Sequence, residues 1–118
     1  MFETVRLIDI KNDSFTQLIG EYKFFSGNES ENVGLHDQLG LIAEKRIRPD
    51  EKDAFIAFTD CSSLLERAGN SEQGYISAVF HVKQNDGSYK LEEIVLMPIP
   101  GSGGAEFLFC SKFYPEMR

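Results

Sequence analysis

The side chains best suited to chemistry in this chain are histidines, cysteines and carboxylates, and none stands at a spacing that builds a site. His36 falls in a helical stretch and His81 on a strand, and neither has a second ligand at metal spacing. A zinc site needs converging ligands, and a haem site needs an axial histidine in an apolar pocket. The sequence therefore predicts no metal site and identifies no cofactor.

The thiols and hydroxyls give no nucleophile. Cys61 follows Asp60, and Cys110 lies in an apolar strand, so we interpret both as reduced, packed thiols of a cytoplasmic protein. The serines form no Gly-x-Ser-x-Gly elbow, which a hydrolase of that type would need. We expect no catalytic residue and no enzyme.

The carboxylates and the glycine tract also have structural interpretations. Glu92 and Glu93 are neighbours on a strand, so they point to opposite faces and cannot share a site. We expect Glu92 at a solvated rim, and Asp9 and Glu93 as the strand carboxylates with an inward phase. The tract from Gly101 to Gly104 precedes a strand and not a helix, which favours a hairpin loop over a phosphate cradle.

Charge and composition limit the partners. The net charge of −7 argues against a nucleic-acid surface, because phosphate binding needs clustered Lys and Arg. The basic run from Lys45 to Arg48 is short and is interpreted as a solvated helix end. A hydrophobic content of 42% with ten Phe residues supports one core, so residues 1–118 are predicted to form a single domain. No apolar run approaches the roughly 18 residues that span a bilayer, and no signal peptide is evident. We expect a cytoplasmic location and no direct membrane contact.

The order of elements predicts two strands, a helical middle and three further strands. Leu35, Leu39 and Ile42 have the spacing of one helical face, and Pro49 marks the start of a second helix. A third short helix carries Leu64 and is predicted to end at a left-handed Gly69. Alternation and turn residues predict strands over Phe2 to Ile10, Phe15 to Tyr22, Tyr75 to Lys83, Tyr89 to Ile99 and Glu106 to Phe113. Asp86-Gly87 between the third and fourth strands predicts a tight hairpin with positive φ angles.

Four segments resemble a known family, the PAS domains of bacterial diguanylate cyclases and sensor kinases. The first two are the opening hairpin, in which Val5–Ile10 is followed by a polar turn, and the Pro-Asp helix start at Ile47–Glu51 with Phe55 downstream. The others are the Asp-Gly hairpin within Phe80–Tyr89 and the closing strand Phe107–Phe113. Together the four segments cover nearly the whole chain, and their order and spacing match those of the family.

The resemblance implies an α+β fold with a five-stranded antiparallel sheet in the order 2-1-5-4-3 and short helices on one face. It also implies a non-catalytic sensory domain that binds a small ligand or relays a signal, as part of a longer protein with a diguanylate cyclase or kinase output domain beyond Arg118. The alternative is a small cone-shaped enzyme or binding protein of the ketosteroid-isomerase type. That alternative needs a carboxyl of raised pKa inside an apolar cavity, for which Asp9 and Glu93 are the candidates.

A ligand pocket of such a domain would lie between the helices and the sheet. Large aromatic side chains could equally fill that space and leave no cavity. The predicted pocket walls are Leu39, Ile42, Phe55, Phe58, Phe80 and Phe109.

The fourth and fifth strands are apolar on both phases, whereas a sheet covered on one side should keep its second face polar. We expect a homodimer to cover the second face, with shielding by the domain's own loops or by a flanking helix of the parent chain as alternatives. The buried set would be Ile94, Leu96 and Leu108, or else Leu91, Met97 and Ile99, whichever lies opposite the helices.

Overall fold

The computed structural model describes residues 3–19 and 34–114, and within them five strands form one antiparallel sheet. Neighbouring strands pair in the order β2-β1-β5-β4-β3, so β1 and β5 lie side by side at the centre. The predicted α+β class, the strand number and the sheet order are confirmed. The first residue of the predicted first strand (residue 2) and the last three of the predicted second strand (residues 20–22) lie outside the described residues. The strands are β1 (Thr4–Asp9), β2 (Ser14–Ile19), β3 (Ile76–Lys83), β4 (Tyr89–Pro98) and β5 (Glu106–Phe113).

In the described part of the chain, three short helices pack on one face of this sheet. They are α1 (Leu35–Lys45), α2 (Lys52–Phe58), which follows a 3₁₀ turn at Pro49–Glu51, and α3 (Leu64–Gly69). The predicted stripe of Leu35, Leu39 and Ile42 is the buried face of α1, as helical spacing requires. Each of the shorter helices likewise anchors a fully buried side chain, Phe55 in α2 and Leu64 in α3.

Aromatic side chains fill the space between the helices and the sheet. Phe55 and Phe80 make an edge-to-face contact with ring centroids 5.4 Å apart, and Phe58 lies 5.7 Å from Phe80. Phe15 and Phe109 make a second edge-to-face contact at 5.2 Å. Such pairs stabilise a core by about 0.5–1.5 kcal/mol beyond the area they bury. The centre of the sheet is therefore packed with side chains.

The segment after α1 joins the sheet edge, which the sequence did not predict. Ile47 forms an isolated antiparallel bridge with Val82, flanked by hydrogen bonds from Arg48 N to His81 O (3.1 Å) and from Lys83 N to Arg46 O (2.6 Å). Ile47 is 2% exposed, so the basic run is not simply a solvated helix end. Its apolar residue anchors the chain on β3 before the turn at Pro49.

Two predicted turn conformations were wrong. Among the described residues, Gly87 but not Asp86 has a positive φ, and the loop is closed by hydrogen bonds from Gln84 N to Ser88 O and from Gly87 N to Gln84 O. Lys83 pairs with Tyr89, so the connection is longer than a two-residue hairpin, and the type I′ turn, which needs positive φ at both central residues, is not formed. Gly69 is not left-handed either; it is the last residue of α3, and the positive φ comes later, at Gly74 (83°).

Candidate ligand site

A cavity of about 810 Å³ lies beside α1 and α2, next to the turn that joins β1 and β2. This volume is within the range of small-molecule sites. Much of its wall is apolar and comes from both helices and from the residue that follows β1. The apolar lining residues are Ile10, Leu35, Leu39, Ile56 and Ala57.

The polar part of the lining comes from three separate segments. Asp13 belongs to the β1–β2 turn, His36 to α1 and Asp53 to α2. The residues that follow α2 contribute a further short polar stretch. They are Thr59, Asp60, Cys61 and Ser62.

Asp13 holds the start of α1 against the β1–β2 turn. The backbone nitrogen of Leu35 donates to the Asp13 carbonyl oxygen at 3.1 Å and to its Oδ1 at 3.0 Å. Asp13 itself adopts a left-handed conformation (φ 54°), which Asp tolerates better than most residues. A side chain at Gly34 would put its Cβ 2.1 Å from the Asp13 carboxylate, so only glycine allows this close approach. The contact crosses 22 residues of chain and fixes one wall of the cavity.

Gly40 keeps the cavity open on the α1 side. It lies in the interior of α1 and lines the cavity, and a Cβ built there meets no atom within 4 Å. Glycine inside a helix costs about 0.5–1 kcal/mol relative to alanine. A glycine at this position is the one local signal in the sequence that could have indicated the cavity.

The end of α2 is held by local hydrogen bonds. Thr59 Oγ1 donates to the Phe55 carbonyl at 2.9 Å, and Asp60 Oδ1 accepts from the backbone nitrogen (3.0 Å) and hydroxyl (2.7 Å) of Ser62. These bonds from Ser62 lower the pKa of Asp60, so its carboxyl stays ionised. Burial raises the pKa of the Cys61 thiol, which fits a packing role better than a nucleophilic one.

The structure brings one of the predicted pocket residues to this cavity. Leu39 lines it, whereas Ile42, Phe55, Phe80 and Phe109 are buried between the helices and the sheet. Phe58 is partly buried and packs against Phe80. Aromatic rings therefore occupy the position where the pocket was expected, and the observed cavity lies at the α1–α2 side of the domain.

The predicted phase of the two neighbouring glutamates in β4 was wrong. Glu92 is 3% exposed and faces the helices, next to Ser111 and Thr4, whose hydroxyl oxygens are 2.6 Å apart. Gln84 Nε2 donates to Glu92 Oε2 at 3.0 Å. Burial raises the pKa of Glu92, hydrogen bonds from Gln84 and Ser111 oppose this rise, and the charge of Glu3 adds to it. Glu92 is thus a buried carboxyl within the fold, but it does not line the cavity.

The two carboxylates expected to point inward lie outside the core. Asp9 accepts hydrogen bonds from the backbone nitrogen (3.1 Å) and Nδ2 (2.7 Å) of Asn12, and these bonds lower its pKa. Glu93 lies 3.6 Å from Lys112 Nζ, on the sheet face opposite the helices. Neither carboxylate lines the apolar cavity, which is where the isomerase-type alternative needs one.

The two histidines lie in different elements, α1 and β3. His36 lines the cavity, and His81 contacts the Glu51 carboxylate through its backbone nitrogen (2.6 Å) and Nδ1 (3.0 Å). This contact fastens the 3₁₀ turn to the edge of β3. Within residues 3–19 and 34–114, no group of three His, Cys, Asp or Glu side chains could hold a metal ion.

The sheet face opposite the helices carries the alternate apolar side chains of β4 and β5. Ile94 and Leu96 are fully buried on the helix side, so they are not available to a partner. Leu91, Met97 and Leu108 are partly buried and lie on the opposite face, around the buried Val95 and Cys110. Ile99 follows the end of β4 and is also partly buried. The grouping of Leu108 with Ile94 and Leu96 was wrong, because Leu108 pairs with Met97 and shares its face, opposite the helices.

In comparisons with known proteins, no protein-family model, no curated protein and no solved structure matches this chain. In the described part of the chain, none of the helices has the length and apolar character needed to cross a membrane.

Proposed function

We propose that this domain is a non-catalytic sensory module of the PAS type, which binds a small molecule in the cavity beside α1 and α2. The observation that carries the proposal is the cavity itself, about 810 Å³ and largely apolar, on a sheet of order 2-1-5-4-3 with helices on one face. An apolar pocket of this size with a few polar groups is the usual kind of place for a ligand.

The contacts of Asp13 supply a route from the cavity to the sheet. A ligand that moves α1 moves Leu35, whose backbone nitrogen is bonded to Asp13 at the end of the β1–β2 turn. β1 is central in the sheet and pairs with β5, and Ile10 N donates to the Ala105 carbonyl at 2.8 Å just before β5 begins. In the proposed function, β5 passes this change to an output domain of the same protein, a diguanylate cyclase or a kinase of bacterial signalling.

The same proposal includes a cytoplasmic location and a homodimer that covers the second sheet face. The face offers Leu91, Met97 and Leu108, which a single copy leaves partly exposed. Burying three such side chains per subunit contributes several kcal/mol at about 25 cal/mol per Å², before association entropy is subtracted. A weak, concentration-dependent dimer is therefore the expected form.

The test of ligand sensing is to fill the cavity without disturbing the fold. Gly40→Leu places a side chain in open space and also raises helix propensity, so the variant should be at least as stable as the wild-type protein. Thermal-shift and native mass-spectrometry screens against small cytoplasmic metabolites should find a ligand for the wild-type protein and not for Gly40→Leu.

Gly69→Ala is the matched control, because it also replaces an open helical glycine but lies in α3, and Gly69 does not line the cavity. It should bind as the wild-type protein does. A screen in which no compound binds the wild-type protein, or in which Gly40→Leu binds equally well, would refute ligand sensing at this cavity.

A further inference from the structure

Three carboxylates are among the described residues that line the cavity, and a single turn brings Arg67 beside it, where Nη2 donates to the Asp60 backbone carbonyl at 3.0 Å. Asp13, Asp53 and Asp60 reach it from three different segments, the β1–β2 turn, α2 and the turn after α2. No Lys or Arg is among the described residues that line it. A concave site lined by charges of one sign raises the local concentration of the opposite ion. The cavity is thus electrostatically suited to a cation.

The three carboxylates differ in how far the fold already uses them. Asp13 accepts a hydrogen bond from Leu35 and Asp60 accepts two from Ser62, but each of these bonds ends on one oxygen, Oδ1. The Asp53 carboxylate makes no hydrogen bond or ion pair with another residue in the described part of the chain. Oxygens of the three carboxylates therefore remain available for a ligand.

The lining also limits the kind of cation. The described residues contain no group of His, Cys, Asp or Glu close enough together to hold a metal ion, so the three charges are spread around the cavity. Between them lies an apolar surface that includes Leu35, Leu39 and Ile56. A small hydrated ion would not use this surface, whereas an alkyl group would bury against it.

We propose that the cavity binds an organic cation, an ammonium group carrying an apolar body of several carbons. This inference rests on the proposed function, because it assigns a ligand class to the same cavity. The ammonium lies near Asp53 and Asp60, and the apolar body covers the helix side chains. A chain of about six carbons fits easily within 810 Å³.

The probe for this proposal is hexyltrimethylammonium, compared with hexanoate and hexan-1-ol by isothermal titration calorimetry. The cation should bind most tightly and the anion least, since the three compounds share the alkyl chain and differ in charge. Affinity for the cation should fall as NaCl rises from about 10 mM to about 500 mM, because solvent-accessible charges are screened.

Asp→Asn variants test the named carboxylates while keeping the local hydrogen bonds, since the Asn side-chain oxygen still accepts. Asp53→Asn and Asp60→Asn should each weaken binding of the cation about fivefold, the effect of one unit charge at about 4 Å in water. Neither should change the affinity for hexan-1-ol.

Asp86→Asn is the matched control for Asp60→Asn. Asp86 Oδ1 accepts from the backbone nitrogen and hydroxyl of Ser88, as Asp60 Oδ1 does from Ser62, but it lies in the β3–β4 loop and does not line the cavity. It should leave the affinity for the cation unchanged, which separates the local carboxylates from the overall negative charge.

The outcomes separate this proposal from the one on which it rests. If an uncharged or anionic compound binds, Gly40→Leu blocks it and the Asn variants have no effect, the cavity is a ligand site and the cation assignment is wrong. If hexyltrimethylammonium binds equally to Gly40→Leu, it binds elsewhere and the inference falls. If neither the probes nor the metabolites bind, both proposals fail.

Discussion

The stability of the Glu92→Gln variant should increase relative to that of the wild-type protein as pH rises. Glu92 is buried beside Ser111 and Gln84, and burial raises its pKa above the ordinary value of 4.5. The folded state therefore holds this proton more tightly than the unfolded state. The stability of the wild-type protein loses a contribution as pH increases past 4.5 and levels off above the raised pKa. Glutamine carries no proton to lose, so the variant lacks this decline.

The size of this stability difference is limited because Glu92 binds a single proton. A single group changes the free energy of unfolding by at most about 1.4 kcal/mol per pH unit between its two pKa values. At low pH, where Glu92 is protonated, the side-chain oxygen of the substituted glutamine can still accept the bond from Gln84, so variant and wild type should agree within about 1 kcal/mol. Their difference should then grow with pH and reach a plateau.

Urea denaturation followed by far-UV circular dichroism, from about pH 4 to about pH 8 at constant ionic strength, measures this difference. Several carboxyls with lowered pKa values stabilise the fold as pH rises, but they are present in both proteins and cancel. They are Asp9, Asp50, Asp60 and Asp86. Glu93→Gln removes the same charge from the other face of β4. A flat or falling difference for Glu92→Gln, or an equal rise for Glu93→Gln, would refute the reasoning.

Three further substitutions test other parts of the structure. Gly34→Ala should lower the free energy of unfolding by about 0.5–2 kcal/mol, the value of a helix cap, because the new Cβ would displace the Asp13 carboxylate. Urea unfolding measures this loss, and if the losses of Gly34→Ala and Asp13→Ala simply add, the two residues do not share a contact. Phe55→Ala should cost about 3–5 kcal/mol, and a double-mutant cycle with Phe80→Ala should give a coupling of about 0.5–1.5 kcal/mol; zero coupling would contradict the edge-to-face contact. Met97→Lys should give a folded monomer in sedimentation velocity, and a wild-type chain that is already monomeric at high micromolar concentration would rule out the dimer.

The sequence predicted the parts of the fold that depend on local pattern. Leu35, Leu39 and Ile42 have helical spacing and face the core, and Pro49 marks the 3₁₀ turn before α2. The sheet order came from the family resemblance and not from the pattern alone. Local spacing was therefore enough to predict the elements, whereas their order in the sheet needed the resemblance.

The phase of β4 could not be predicted, because its apolar residues occupy both phases. Either Glu92 or Glu93 could have faced inward on that pattern. The pairing with β5 decides the matter, since it places Ile94 opposite Ser111 and Leu96 opposite Phe109, all on the helix side. Glu92 shares their phase and is buried with them. Such pairing joins distant residues, and local alternation does not contain it.

The position of the cavity depends on contacts that are also distant in sequence. The aromatic core leaves little free volume under the helices, since Phe55, Phe80 and Phe109 are each at most 4% exposed. A ligand therefore cannot act by expanding that core without breaking its ring contacts. A ligand can instead move α1 relative to the β1–β2 turn, because the two are linked by hydrogen bonds from Leu35 to a single residue, Asp13. In the proposed sensor, the responsive element is therefore the surface of the helical layer, and the packed core is its rigid support.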